Sequence, residues 1–293
     1  MEALITVLVF LYSSIFIAGF TGNLILVLAT IHSKNLRSIC NILIGACCFF
    51  DLLLFTDILA FVYSIFFETT QEFCFYINIP ADFGAFPSNA CVLVIGIDRL
   101  IAITNPVKYK TIEFHKKKFI FIFLLFPISY ALSLLYVGLG QRDPNRVVYC
   151  LLPESLGHAY DLFAITSFVI NVLVPPIYIY VYYRIKQSKK TSMQAVFKSL
   201  TVTVFLVVCG WMTTDHCGVL SVVVPMDPFS QKAIQLSCGT FIFTASSFTL
   251  LVYYRMSKDY RLAIKRMFGF KSQTETSERT ITRTVSRAVT RTV

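Results

Sequence analysis

The residues of this chain most able to do chemistry are ionisable or polar groups set inside long apolar stretches. Asp51 lies in Asn41-Ile-Leu-Ile-Gly-Ala-Cys-Cys-Phe-Phe-Asp51-Leu-Leu, Asn23 follows Gly22, Ser88 and Asn89 sit at mid-stretch, and Asp98-Arg99-Leu100 closes a stretch just before Asn105-Pro106. A charge among hydrocarbon is expensive, so each is a functional hypothesis by default, with satisfied packing polarity as the plain alternative. Hydrolysis is not among the hypotheses. The chain has no Gly-x-Ser-x-Gly, no His-Glu-x-x-His and no Gly-rich loop followed by Lys-Ser/Thr. His32, His115, His158 and His216 stand apart, and the cysteines show no zinc-ligand spacing. The reading is therefore of a protein that is not an enzyme and carries no cofactor.

The elements that must position these groups are membrane spans. The chain is 56% hydrophobic and 14% charged, where soluble domains are near a quarter charged. Crossing a hydrocarbon layer of ~30 Å takes about 20 apolar residues. Seven such stretches occur: Leu4 to Ile31, Cys40 to Phe67, Phe73 to Thr104, Phe119 to Leu139, Leu162 to Tyr183, Phe197 to Val224 and Ile234 to Tyr254. The first has no basic residue before it and is followed by Lys34 and Arg37, which marks an uncleaved span. The expected fold is an all-α membrane protein, a bundle of seven transmembrane helices.

Charge orients it. With the N-terminus outside, the inner loops hold Lys34, Arg37, Arg99, Lys108, Lys110, Lys116 to Lys118, Arg184, Lys186, Lys189, Lys190, Lys198 and every Lys and Arg from Arg255 on. Only Arg142, Arg146 and Lys232 of the 26 basic residues remain outside. The net charge of +10 is a topology signal, and no basic stripe with interleaved aromatics marks a nucleic-acid partner. The expectation is a multi-pass plasma-membrane protein with its C-terminus in the cytoplasm. Residues 1–270 read as one membrane domain, whose end, Lys258 to Phe268, interleaves basic and apolar residues as an amphipathic helix lying on membrane lipid would. Residues 271–293 read as a disordered Ser/Thr/Arg-rich tail, open to a kinase or arrestin.

Cys74 and Arg99 are 25 residues apart in one stretch, roughly 37 Å of helix, so Cys74 falls at the outer surface. Cys150, in the loop after the fourth span, is the other cysteine outside the membrane, and an oxidising compartment favours a Cys74–Cys150 disulfide. Cys40, Cys47, Cys48, Cys91, Cys209, Cys217 and Cys238 fall inside spans and read mostly as small core residues.

Gly22-Asn23, Asp51, Cys74 with Cys150, Asp98-Arg99-Leu100, Pro175 with Tyr183 eight residues on, and Tyr253 before Lys258-Asp259-Tyr260-Arg261 together resemble the signature of rhodopsin-like G-protein-coupled receptors. The short N-terminus, Asp98-Arg99-Leu100 followed by Ile-Ala-Ile-Thr-Asn-Pro-Val-Lys-Tyr, and Gly210-Trp211 are most similar to the nematode serpentine chemoreceptors of the Srsx class. The resemblance spans all seven helices and implies a ligand-driven two-state bundle that opens a cleft for a heterotrimeric G protein. Under it, Asp98 holds Arg99 at rest, and on opening Arg99 turns toward Tyr183 and Tyr253. Asp51, Ser88, Ser246 and Thr249, near Asn23, are placed to hold a sodium ion or waters.

There are departures. Thr249-Leu250 replaces the family's Asn-Pro, the helix-four Trp is absent, and helix six lacks its proline, which predicts a less kinked helix. The acidic residue that would hold the Arg from helix six falls near Met193, with no carboxylate close by, which predicts high basal activity. The family's amine-binding carboxylate position falls at Ala81, with Asp82 its neighbour, which disfavours a monoamine. No Lys lies in helix seven to bind retinal. Ligand-pocket candidates are Asp82, Phe86, Trp211 and Asp215, with Asp57, Asp161 and His216 as weaker ones, of which Asp57 or His216 could equally face another helix or the headgroups. The expected ligand is an extracellular small chemosensory molecule. The alternatives are a peptide, attracted by the acidic outer residues Glu68, Glu72, Asp143, Glu154, Asp161 and Asp227, and a transporter or channel of similar topology.

Overall fold

The computed structural model describes residues 2–188, 191–225 and 228–270. Seven helical segments are long and apolar enough to cross a membrane. The first span lies in α1 (Glu2–His32). The second is α2 (Ile39–Leu54) continued by α3 (Thr56–Phe66), and the third is α4 (Gln71–Thr104). α5 (Pro106–Phe114) leads into the fourth, α6 (Lys116–Leu139), and α7 (Leu152–Leu156) is one short turn in the following loop. α8 (Ala159–Ser188) and α9 (Thr191–Val223) carry the fifth and sixth spans, α10 (Pro228–Ser247) with α11 (Thr249–Met256) makes the seventh, and α12 (Lys258–Met267) closes the described chain. Among the described residues the one β pairing is an isolated bridge from Thr70 to Val147.

Two of the spans are broken where the sequence reading ran them through. Neither break has a Gly or Pro. At Phe55 the chain stays near αR geometry, and Thr56 Oγ1 donates to Leu53 O at 2.6 Å. At Phe248 the backbone N–H is shared between Thr244 O (3.2 Å) and Ala245 O (3.3 Å), and Ser247 Oγ donates to Phe243 O at 2.8 Å. Hydroxyls bonded back to a carbonyl of the preceding turn loosen and bend a helix. In contrast α9, which lacks a proline, runs unbroken from Thr191 to Val223.

The centre of the bundle is α4, 34 residues long, packed against α2, α6, α7 and α8. Its small residues let neighbours come close. A Cβ on Gly84 would stand 2.6 Å from Phe50 O and 2.9 Å from the Leu54 nitrogen, so the backbones of α2 and α4 touch there. Between helices in lipid, such close packing and shared hydrogen bonds replace the hydrophobic drive that water supplies. The outward faces are correspondingly apolar, with Phe10 76% and Tyr136 79% exposed, as lipid-facing residues of a multi-pass membrane protein should be.

Among the described residues, three helix starts carry their own cap. Ser38, Thr70 and Ser257 each accept from the backbone N–H three residues on, satisfying donors that the first turn leaves unpaired. The last of these begins α12, which buries Tyr260, Ala263 and Ile264 against the bundle and exposes Lys258, Lys265 and Arg266. Tyr260 Oη lies 3.1 Å from Thr30 Oγ1 and donates to Asn41 O at 3.3 Å, and its ring is 5.0 Å from that of Tyr253. Burial holds the Tyr260 hydroxyl well above the ordinary tyrosine range. The expected tail, residues 271–293, lies outside the described residues, as do the side chains of Lys189, Lys190, Met193 and Lys232.

Candidate functional site

At one end of the bundle, Asp98 and Arg99 form a compact polar knot with a third partner that sequence reasoning missed. Arg99 donates to Asp98 Oδ2 through Nη2 (2.5 Å) and Nε (2.8 Å), and through the same Nη2 to Tyr109 Oη (3.0 Å). The Tyr109 hydroxyl in turn donates to Asp98 Oδ1 at 3.0 Å. Asp98 is fully buried, so both its oxygens are satisfied from within the knot. Tyr109 arrives because Asn105-Pro106 ends α4 and starts α5, with Pro106 in its first turn. Burial pushes the Tyr109 hydroxyl above its usual range, partly offset by the Arg99 charge. Leu100 is half-buried behind the knot. Tyr253 is buried against Tyr260, whereas Tyr183 is 60% exposed, so the structure does not bring Tyr183 to Arg99.

Half-way along the bundle, the Ser88 hydroxyl donates to Asp51 Oδ1, and both residues are buried. Asp51 and Thr249 line one internal cavity with Cys47, Cys48, Thr203 and Tyr253, and the Thr249 hydroxyl is buried there without a partner. An unpaired oxygen and a carboxylate on one cavity are a donor set that fits a hard cation or water. Asn23 donates to Gly19 O at 2.9 Å and to Ser246 O at 3.4 Å, which joins α1 to α10 beside this cavity rather than into it.

The other end is closed by the loop that follows α6. Cys74 and Cys150 form a disulfide, with Cα atoms 5.2 Å apart. The loop backbone pairs with the start of α4 through Gln71 N to Arg146 O (2.8 Å) and Val148 N to Thr69 O (2.9 Å). Arg142 pairs with Glu72 and Arg146 with Glu154. α7 dips into the bundle with Leu152, Ser155 and Leu156 buried. A buried carboxylate holds it: Asp82 Oδ2 accepts from Ser155 Oγ at 2.5 Å, while Asp57, also buried, accepts from Asn78 Nδ2 of α4 at 2.8 Å. Asp82 keeps its Oδ1 buried without a partner.

Of the remaining pocket candidates, Phe86 packs its ring 4.3 Å from that of Tyr130, toward the fourth span. Trp211 meets the edge of Phe163 at 5.6 Å with its indole N–H unpaired. Asp215 accepts from Ser167 Oγ at 3.0 Å. Asp161 and His158 form a loose surface pair, and His216 is exposed, bonded to Met212 O of its own helix. Ser167 and Asn171, one turn apart on α8, were not singled out from the sequence because neither is ionisable. Their four-residue spacing, which puts both on one helix face, was the available signal. Cys217 and Cys238 correct the sequence reading: they face each other across α9 and α10, Cα atoms 6.1 Å apart, as a second disulfide rather than as separate core residues.

The arrangement is a seven-span bundle with a disulfide-tied loop over one mouth and an Asp-Arg knot at the other. Residues 16–268 match the profile of the serpentine type 7TM GPCR chemoreceptor Srsx family. The chain belongs to this family. It is a rhodopsin-like receptor and not an enzyme. Among curated relatives, the histamine H2 receptor of Canis lupus familiaris is 25% identical over 292 residues, covering 89% of this chain and 79% of that receptor. The Rattus norvegicus histamine H2 receptor is 24% identical over the same shares. The alpha-1A adrenergic receptor of Canis lupus familiaris is 28% identical over 166 residues, 54% of this chain and 55% of that one. Within the Srsx receptor the fully buried Ala81 stands beside Asp82 on α4, so no carboxylate side chain springs from that position.

Proposed function

We propose that this receptor sits in the plasma membrane with the disulfide end outside and the Arg99 end in the cytoplasm. There it binds a small extracellular chemosensory molecule and activates a heterotrimeric G protein. The observation that carries the coupling half is the Asp98–Arg99–Tyr109 knot. It is a closed, charge-assisted arrangement at a helix end, of the kind a G-protein segment could exchange for contacts of its own. The excess of Lys and Arg on the same side supports the orientation.

The form of the outer end supports a small ligand over a peptide. α7 is seated in the mouth by Asp82, and two of the acidic outer residues are paired with Arg142 and Arg146. A sodium ion held by Asp51 and Thr249 would supply a counter-charge, and waters there would supply hydrogen bonds, either of which stabilises the resting bundle. Ser88 keeps one Asp51 oxygen engaged.

The test is nucleotide exchange in membranes of cells expressing the chain, with a mixed panel of small odorants and peptides, wild type against Arg99→Ala at matched surface expression. Stimulated exchange by wild type alone, with the active pool among the small molecules, is the expected result. Ion flux or solute uptake with no exchange from either protein would transfer the chain to the transporter or channel reading.

A further inference from the structure

Ser167 on α8 is the hub of a buried polar cluster that joins three helices. Its hydroxyl accepts from Asn89 Nδ2 of α4 at 2.7 Å and from Asn171 Nδ2 at 3.3 Å, and it donates to Asp215 Oδ2 of α9 at 3.0 Å. One donor and two acceptors are all that a hydroxyl has, so Ser167 is saturated. The remaining oxygen of each partner is not. Asn89 Oδ1, Asn171 Oδ1 and Asp215 Oδ1 are all buried without a hydrogen bond, on side chains more than nine-tenths buried. Each of these oxygens shares a planar amide or carboxyl group with an atom already bonded to Ser167. All three therefore stand around one hydroxyl.

The surplus is mainly of acceptors: three, one belonging to a carboxylate, against the one unpaired donor nearby, the Trp211 indole N–H. Buried acceptors left unpaired are costly, and a buried charge more so. The group that would complete them is positively charged and carries several N–H donors. The walls suit it. Trp211 lies one turn before Asp215 on α9, Phe163 one turn before Ser167 on α8, and their rings meet edge to face at 5.6 Å, offering the aromatic surface that organic cations favour. Asp82 also has one oxygen on a serine, Ser155 of the loop, and the other buried unpaired, but it lies two helical turns from Asn89 along α4.

We propose that Asn89, Ser167, Asn171 and Asp215 form the recognition site for the protonated nitrogen of a small organic cation, such as an ammonium, amidinium or imidazolium, with Asp215 as counter-charge. The proposal rests on the receptor reading and names its ligand class.

Its test needs no G protein, so that failure here and failure of coupling are separable. The full chain is purified into lipid nanodiscs, and its Tm is measured with phenethylamine and benzamidine, and with their neutral counterparts phenethyl alcohol and benzamide. Both cations raise Tm in the millimolar range and neither neutral compound does. In Asp215→Asn the cation affinity falls about tenfold or more, while the exposed Asp259→Asn on α12 keeps it. Asn171→Leu, which removes a neutral acceptor and leaves the charge, lowers it less and serves should Asp215→Asn fail to fold. A merely structural staple would change the ligand-free Tm of these variants and not the preference for cations. Equal shifts by neutral and charged probes, no shift by either cation, full affinity in Asp215→Asn, or a loss in Asp82→Asn instead would each overturn the proposal.

Discussion

Tyr109 supplies what the sequence reading found missing around Arg99. No carboxylate was expected from helix six, and the structure holds Arg99 with the adjacent Asp98 and a tyrosine from α5. Removing one hydroxyl from that knot costs about 1 kcal/mol, or roughly fivefold in the ratio of closed to open receptor. Tyr109→Phe is thus expected to raise ligand-free nucleotide exchange several-fold at matched surface expression. Exchange equal to or below wild type would mean that Tyr109 plays no part in the resting state. Asp98 and Arg99 were legible because charges are conspicuous in an apolar stretch. Tyr109 was not, because one tyrosine among the basic residues of a polar loop has no periodicity to betray it, and its approach depends on the turn at Pro106. Ser167 and Asn171 were hidden for a related reason: neutral polar residues inside a span are common helix-to-helix glue, and their convergence on Asp215 requires three helices to be placed first.

At the scale of elements, seven spans and an amphipathic closing helix could be read from hydropathy and charge because lipid forces every backbone polar group to be satisfied within its own helix. The breaks at Phe55 and Phe248 could not, since they come from hydroxyl-to-carbonyl bonds of Thr56 and Ser247 and not from Gly or Pro. Contact between α2 and α4 is set by Gly84, and what a side chain there would strike is backbone, which cannot swing aside. Overpacking of that kind costs about 1–3 kcal/mol. Gly84→Ala is expected to lower the Tm of the purified receptor by several degrees, and Gly84→Val by more. An unchanged Tm in both would show that α2 and α4 can separate freely at this depth.

In the whole molecule, the two ends are built differently. Two disulfides, Cys74–Cys150 and Cys217–Cys238, hold one end, while the bonds of the Arg99 knot tie α4 only to the adjoining α5. Loss of a native disulfide costs about 2–5 kcal/mol, and in the loop-entropy account more for the longer loop. Cys150→Ser, which opens a separation of 76 residues, should therefore reduce surface expression and Tm more than Cys238→Ser, which opens one of 21. The reverse order would place the main constraint on the α9–α10 pair. Both cysteine pairs lie at the tied end, so motion is left to the opposite end, where a G protein would engage.

Coupling between those ends is the central claim, and linkage makes it reciprocal: whatever factor the ligand adds to G-protein binding, the G protein must add to ligand binding. The direct measurement is the affinity of the most potent exchange-stimulating ligand for the nanodisc-embedded receptor, with and without nucleotide-free G protein. The affinity should rise about five- to a hundredfold with G protein, fall back when a GTP analogue is added, and stay low throughout in Arg99→Ala. An affinity indifferent to G protein in the wild type would contradict the account, leaving a ligand-binding bundle whose Arg99 end does not report on its ligand.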